Sequence, residues 1–389
     1  MLKGKANARL GMVGSNDVLE VIPTGSVALD LLTGIDGLKG IPKGRVTQIA
    51  SDPGVGKSTT ALQIAANCQK LGGKVLYLDF EQAMTAAYAI QMGCNLDDNT
   101  MVLAQPTDLE IAWELIAQMS ECGVSLVILD SIASMFPKVE DEDMASLKTQ
   151  LGFQSRALAL FFPRLKNQAR TKNFAVLTIN QVRAKIDFSF GSQFQKTPAY
   201  SQSLPGGYAV KFNTDLLYYL SIKKTEKQKG GTTVAGQSGD IYTGVEILAT
   251  TWKNKVGKPF CRVPMYLTFG AGIDDVRSVL EIGVSQGIID VKRNGFWSIN
   301  NLDNDYPGIA EGAVILGGRG IELGTEEDPK PESLPTLLAA NPEVYDYVRR
   351  KILSSGPVDS MDAEEAAAVK AMMSDDEAPS SGFTPTPVR

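Results

Sequence analysis

The stretch SDPGVGKSTT, residues 51–60, constrains this chain more than any other. It links the apolar run RVTQIA to an amphipathic helical pattern through a glycine-rich turn, so a buried strand must feed straight into a helix at this point. Backbone N–H groups then converge on the positive end of the helix, which makes the turn a phosphate-binding loop. Lys57 supplies a mobile cation for the outer phosphates and Ser58 a hydroxyl for Mg²⁺. Asp52, Pro53, Gly54, Val55, Gly56 and Thr59 complete the loop and the first helical turn. Ser51 stands where the usual spacing has its first glycine.

Around this loop the pattern alternates. RVTQIA, KVLYLDF, SLVILD and FAVLTIN are continuous apolar runs of strand length, as a parallel sheet covered on both faces requires. Helical stretches near residues 57–71, 82–92, 108–122 and 151–171 separate them. An earlier helix lies in VIPTGSVALDLLTG and ends at Gly34. After residue 213, DLLYYLSIKK and VEILATTWKNK joined by a glycine-rich turn predict antiparallel strands that extend the sheet. Beyond about residue 270, two helical pieces flank the short GFWSI run, which reads as a small α+β unit. The predicted organisation is an arm over 1–20, an α/β core over 21–269, the small unit over 270–355 and an acidic tail over 356–389.

Composition decides what chemistry is open. There is no histidine, so a histidine general base or histidine metal site is excluded, and carboxylates, lysine and Mg²⁺ must serve. The four cysteines are widely spaced with no CxxC, which predicts buried free thiols. No apolar run is long enough to span a bilayer and the N-terminus has no hydrophobic signal core, so the expected location is the cytoplasm, with no membrane partner. The net charge of −6 argues against a nucleic-acid partner until it is apportioned. Residues 356–389 hold seven acids against Lys370 and Arg389, a net of −5, so the body carries only −1 and can present basic surfaces. The tail, rich in Ala, Ser and Pro, is expected to be disordered.

The strand ends carry the candidate chemistry. LVILDS closes an apolar strand on Asp130, a carboxylate placed to hold a Mg²⁺ hydration shell beside a phosphate loop. KVLYLDFE brings Glu81 to the same edge, where it can orient and activate a water; a plain surface ion pair is the alternative. TINQVRAK delivers Gln181 there, and an amide at that point can bond a terminal phosphate and report its loss. The residues that follow, 182–207, form a predicted structureless loop of about 26 residues. They include Arg183, Lys185 and Lys196 among Phe188, Phe190, Phe194 and Tyr200, and end in Gly206 and Gly207. Cations interleaved with aromatics suit single-stranded nucleic acid, although a surface loop of this polar content needs no ligand.

Taken together, PTGSVALDLLTG, GKST, LDFEQAMTAAYA, ILDSIASMFPKVE, INQVRAKIDFSFG and KNKVGKPF resemble the bacterial and phage RecA-type recombinases in order and spacing, over about residues 20–355. The resemblance implies a P-loop RecA-like ATPase core with a mainly parallel sheet extended by antiparallel strands. It also implies ATP and Mg²⁺ as cofactors, assembly into a helical homo-oligomeric filament on single-stranded DNA, and strand exchange with double-stranded DNA. Single-strand-binding and mediator proteins are implied partners. Carried over, Lys57, Glu81 and Gln181 are the catalytic and sensing residues, Ser58 and Asp130 serve the metal, and Tyr88 stacks on adenine. Residues 138–152, with Arg156 just after, are the implied first DNA loop, and 182–207 the second. Lys253 and Lys255 are the pair that reaches a neighbouring subunit's ATP. The arm is shorter than the family's and the second loop longer. A hexameric helicase on the same core, or a scaffold that binds ATP without strand exchange, are the competing readings.

Overall fold

The structure is a computed structural model that describes residues 19–34, 39–138, 147–184, 202–232, 238–291, 297–299, 338, 341–356 and 359–374. Its centre is a ten-stranded mixed sheet. The runs read as buried strands form β3 (Val46–Ser51), β4 (Val75–Asp79), β6 (Leu126–Asp130) and β7 (Ala175–Gln181), following the short antiparallel pair β1 (Val21–Ile22) and β2 (Ile41–Pro42). A parallel strand that the alternation did not predict, β5 (Met101–Ala104), lies at the sheet edge beside β4, and only Met101 of it is fully buried.

Parallel pairing runs β3–β7–β6–β4–β5, and every residue of β3, β4 and β6 is buried. The hydrophobic contribution is large because both faces are covered; at about 25 cal/mol per Å² each fully buried aliphatic side chain adds roughly 1.5–3 kcal/mol. One face packs on α1 (Val27–Thr33) and α2 (Lys57–Lys70), with Ile49, Tyr77, Ile128 and Leu177 pointing to Leu29, Leu62 and Ile64. The other packs on α4 (Leu109–Glu121) and α5 (Leu147–Lys172), where Leu76, Leu78, Val127 and Val176 meet Ile116, Phe162 and Leu165. The short α3 (Ala86–Gln91) sits between β4 and β5.

The antiparallel extension forms as expected. β10 (Leu216–Thr232) runs parallel to β3, then β11 (Ser238–Asn254), β12 (Cys261–Thr268) and β13 (Gly272–Ile273) continue the sheet antiparallel. The stretch 182–207 is not wholly structureless. Arg183–Ala184 (β8) pairs with Gln202–Ser203 (β9), and Gly207–Asn213 is a helix, α6. That ladder sets Ala184 opposite Gln202.

After α7 (Asp275–Ser285), the run GFWSI supplies β15 (Trp297–Ile299), paired with β14 (Ile289–Val291), and α8 (Pro342–Ser355) packs on α7 and α1. The first part of the predicted tail departs from disorder. Asp359–Ser360 (β16) pairs with Cys261 and Arg262, and Ala363–Ser374 forms α9. Two causes act together: the alanine-rich AEEAAAVKAMM has high helix propensity, and Val369, Met361 and Met373 join Trp252, Tyr219 and Phe260 in an apolar cluster. Cys68, Cys94 and Cys261 are buried free thiols, whereas Cys122, at the end of α4, is exposed. Among the described residues no helix is long and apolar enough to cross a membrane.

Candidate functional site

β3, β7, β6 and β4 end at the same edge, and their last residues are in register: Ser51 opposite Gln181 and Asp79 opposite Asp130. Those ends and the turns leaving them carry every strand-end residue singled out from the sequence, Asp130 and Gln181 as last strand residues and Glu81 on a turn. This is the crevice outside the carboxyl ends of a parallel sheet, where α/β proteins bind their ligands.

The glycine-rich turn read as a phosphate loop occupies residues 52–56. Gly56 precedes α2 with φ of 101°, a conformation that demands glycine; the space is less strict, since a Cβ there would meet only the end of the Leu267 side chain, Cδ1 at 2.5 Å. Ser51 ends β3 in ordinary extended backbone, buried. Its hydroxyl donates to the Asp52 carbonyl at 2.7 Å and accepts from Lys57 Nζ at 3.0 Å, while Lys57 also donates to the Asp52 carbonyl at 2.9 Å. The turn thus holds its own lysine against Ser51 and Asp52. Burial lowers the Lys57 pKa, opposed by the charges of Asp130, Glu81 and Asp52.

Asp130 is buried, and the Tyr77 hydroxyl donates to its Oδ2 at 2.7 Å. The Ser58 hydroxyl, at the start of α2, lies near enough to the same carboxylate to help stabilise its charge. Burial raises the Asp130 pKa, and the two hydroxyls, Tyr77 and Ser58, oppose the rise. A hydroxyl and a carboxylate side by side are hard oxygen donors of the kind Mg²⁺ takes alongside phosphate oxygens and water, so Ser58 and Asp130 fit that ion. Tyr77 tightens the arrangement and could not be paired with Asp130 from sequence, because the contact crosses from β4 to β6.

Glu81 lies on the exposed turn after β4, whose backbone is tied to β6 by bonds from the Phe80 and Glu81 N–H groups to the Asp130 carbonyl. Its Oε1 accepts two hydrogen bonds, from Ser131 Oγ at 2.5 Å and from Gln181 Nε2 at 2.7 Å. Ser131, adjacent to Asp130 in LVILDS, was not singled out from the sequence; a hydroxyl directly after a strand-end acid is the signal that could have found it. Tyr88, on α3, is half-buried with its hydroxyl 2.6 Å from Thr59 Oγ1, which brings the aromatic to the start of α2. Gln181 leads through Val182 directly into β8, so the site and the base of the 185–201 segment are two residues apart.

The predicted nucleic-acid residues divide. Arg156 is exposed on α5, whose N-terminal part is anchored by Gln154 Nε2 donating to the Ala133 and Met135 carbonyls at 3.2 and 3.0 Å. Gly206 and Gly207 adopt φ of 98° and 66°, and a Cβ on Gly206 would meet Val210 at 2.6 Å. Arg183 lies in β8. Lys185, Phe190 and Lys196 fall outside the described residues, as do 139–146 of the first implied loop and the arm before residue 19.

Lys253 and Lys255 are not at the strand-end site of their own chain. Lys253 pairs with Leu217, itself level with Gln48, and the Lys255 amide bonds the Asp215 carbonyl beside Val46. β3 runs five residues from there to Ser51, about 16 Å at strand rise. Lys253 Nζ donates to the Lys211 carbonyl at the end of α6, and Lys255 lies 3.6 Å from buried Asp215 and over the Phe212 ring. Burial, with Lys255 and Lys166 nearby, lowers the Lys253 pKa to about 8 against the pull of Asp215.

A family model described as the RecA N-terminal domain matches residues 3–274. Protein RecA of Allochromatium vinosum is 32% identical over 344 residues, 83% of this chain and 92% of the relative. Protein RecA of Thioalkalivibrio sulfidiphilus is 32% identical over 355 residues, 91% of this chain and 90% of the relative. A mitochondrial DNA repair protein recA homolog of Dictyostelium discoideum is 30% identical over 358 residues, 92% of this chain and 70% of the relative.

Proposed function

The chain belongs to the RecA family, and from that premise we propose that the strand-end constellation around Lys57 and Glu81 is its ATP site and that the segment between β8 and β9 in sequence is a DNA-binding loop. It is an ATP-dependent recombinase of DNA recombination and repair, a DNA-dependent ATPase that binds DNA and forms filaments. The single observation that supports the site assignment is the bond between Gln181 and Glu81, because it connects the stem of the loop to a strand-end carboxylate.

In this reading Lys57 leaves Ser51 for the outer phosphates, and Ser58 and Asp130 hold Mg²⁺, which supplies charge neutralisation when bound. Hydrolysis forms a bond from a water oxygen to the γ-phosphorus as the bond to the departing ADP oxygen breaks. Glu81 takes a proton from that water, and Tyr88 covers the adenine. Gln181 bonds the terminal phosphate and carries its presence into Val182 and β8. Arg156, Arg183, Lys185, Phe190, Lys196 and the Gly206–Gly207 turn contact single-stranded DNA, with duplex taken up afterwards. Single-strand-binding and mediator proteins are the proposed loading partners, in the cytoplasm.

Two variants test the assignment. Lys57→Ala loses productive ATP binding, since the cation acts in ground and transition states alike. Glu81→Gln keeps binding and loses turnover by about 10²-fold or more, since the carboxylate acts only on the attacking water. Nucleotide binding and DNA-stimulated ATPase rates measured on both decide it, and equal loss of binding in the two variants would remove Glu81 from the role.

A further inference from the structure

A glutamate on an exposed turn has three side-chain torsions, and a base must point one carboxylate oxygen at one water. What aims Glu81 is therefore a question of its hydrogen bonds. Both described donors, Ser131 Oγ and Gln181 Nε2, converge on Oε1, and among the described residues no hydrogen bond reaches Oε2.

The two donors differ in how firmly they are held. Ser131 is wholly buried, directly after β6, and its carbonyl accepts from the Ser134 N–H. The preceding carbonyl, of Asp130, is the acceptor for Phe80 and Glu81 N–H at 2.6 and 3.3 Å, so Ser131 and Glu81 are fixed to each other through backbone as well as side chain. Gln181 is half-buried at the start of the loop stem. Its Nε2 carries two N–H donors, and turning one of them onto a terminal phosphate moves the other off its present line to Glu81, so the Gln181 bond is the one weakened when nucleotide arrives.

We infer that Ser131 is a positioning residue for hydrolysis: its hydroxyl keeps Glu81 aimed at the water once Gln181 has turned to the nucleotide. The inference rests on the reading of Glu81 as the base. It adds a coupling, because sensing the phosphate and releasing one restraint on the base become the same movement of Gln181. Ser131 touches neither nucleotide nor water in this scheme and acts through Glu81 alone.

The test is DNA-stimulated ATP hydrolysis by the full chain and its variants. Ser131→Ala lowers kcat about tenfold, a fraction of the roughly 10²–10⁴ a positioned base contributes, while the KM for ATP stays within about twofold. Ser131→Thr, which keeps the hydroxyl, recovers kcat to within about threefold of the parent. In a Glu81→Gln background, Ser131→Ala has no further effect on residual turnover. If Ser131→Ala does not fold, as judged by thermal melting, Ser131→Cys takes its place, because a thiol of similar size is a weak donor. Unchanged kcat in Ser131→Ala or Ser131→Cys, a failure of Thr to rescue, or an equal loss in the Glu81→Gln background overturns the inference. Full turnover in Glu81→Gln by itself overturns instead the reading on which it rests.

Discussion

Asp30 and Asp275 set two carboxylates around the single guanidinium of Arg349, where α1, α7 and α8 meet. Arg349 bonds Asp30 at 2.5 Å, and Thr24 satisfies the other Asp30 oxygen through both its N–H and its hydroxyl, each at 2.8 Å. Asp275 accepts from the Val27 N–H at 2.7 Å and from the Tyr345 hydroxyl. Burial nevertheless dominates and raises the Asp275 pKa to about 6, with the bonds from Tyr345 and Val27 and the charge of Arg349 opposing it. An acid whose pKa rises on folding holds its proton more tightly when folded, so Asp275 favours the fold at low pH. That contribution is lost as pH rises from its ordinary value of 3.8 through about 6. Asp275→Asn lacks this titration, so its melting temperature relative to the parent climbs as pH is raised across that window. Parallel melting curves at pH 4, 5, 6 and 7 measure it, and a constant offset would refute the assignment.

At the scale of elements, β16 and α9 change what the C-terminal acids do. Arg262 donates to Asp359 at 2.7 Å and to Glu365 at 3.1 Å, so part of the negative charge serves to hold β16 and α9 to β12. Those pairs are partly exposed and contribute little by themselves; the apolar contact of Val369, Met361 and Met373 with the Trp252 cluster stabilises the docked segment more. Two truncations separate the effects. Removing 375–389 takes away Asp375, Asp376 and Glu377 and leaves the packing, so DNA binding tightens at low salt while melting is unchanged. Removing 359–389 uncovers Trp252 and Tyr219 and lowers the melting temperature by several degrees. Salt-dependent DNA titrations and melting of both truncated proteins check this, and identical behaviour of the two would assign β16 and α9 no packing role.

For the whole molecule, the distance between Lys253 and Lys255 and their own phosphate loop bears on assembly. Both lie toward the opposite end of β3 and are engaged with the end of α6 and Asp215, next to the exposed, stacked rings of Tyr208 and Phe212. Cations placed there serve a nucleotide only if another subunit presents it, and a charge donated across an interface is worth about 10³–10⁵ in rate. Lys57→Ala protein and a Lys253→Ala, Lys255→Ala double variant are each expected to be inactive. Mixed on single-stranded DNA, they regain part of the hydrolysis at interfaces that pair an intact loop with an intact lysine pair. No recovery in filaments shown to contain both proteins would place the lysines outside the reaction.

The strand-end grouping of residues was legible in the chain because it is local. A glycine turn between an apolar run and a helix, and runs closing on Asp130, Glu81 and Gln181, place those residues at one edge once a parallel sheet forms, whatever the strand order. Contacts between elements were not legible. That Tyr77 braces Asp130, that Ser131 and Gln181 meet on one oxygen of Glu81, and that Arg349 closes on Asp30 from 319 residues away depend on strand order and helix packing. Composition misled at 359–374 for the same reason. Alanine and acid read as a solvated tail until the fold supplies an apolar face at Trp252 and a cation at Arg262, and neither is near it in the sequence.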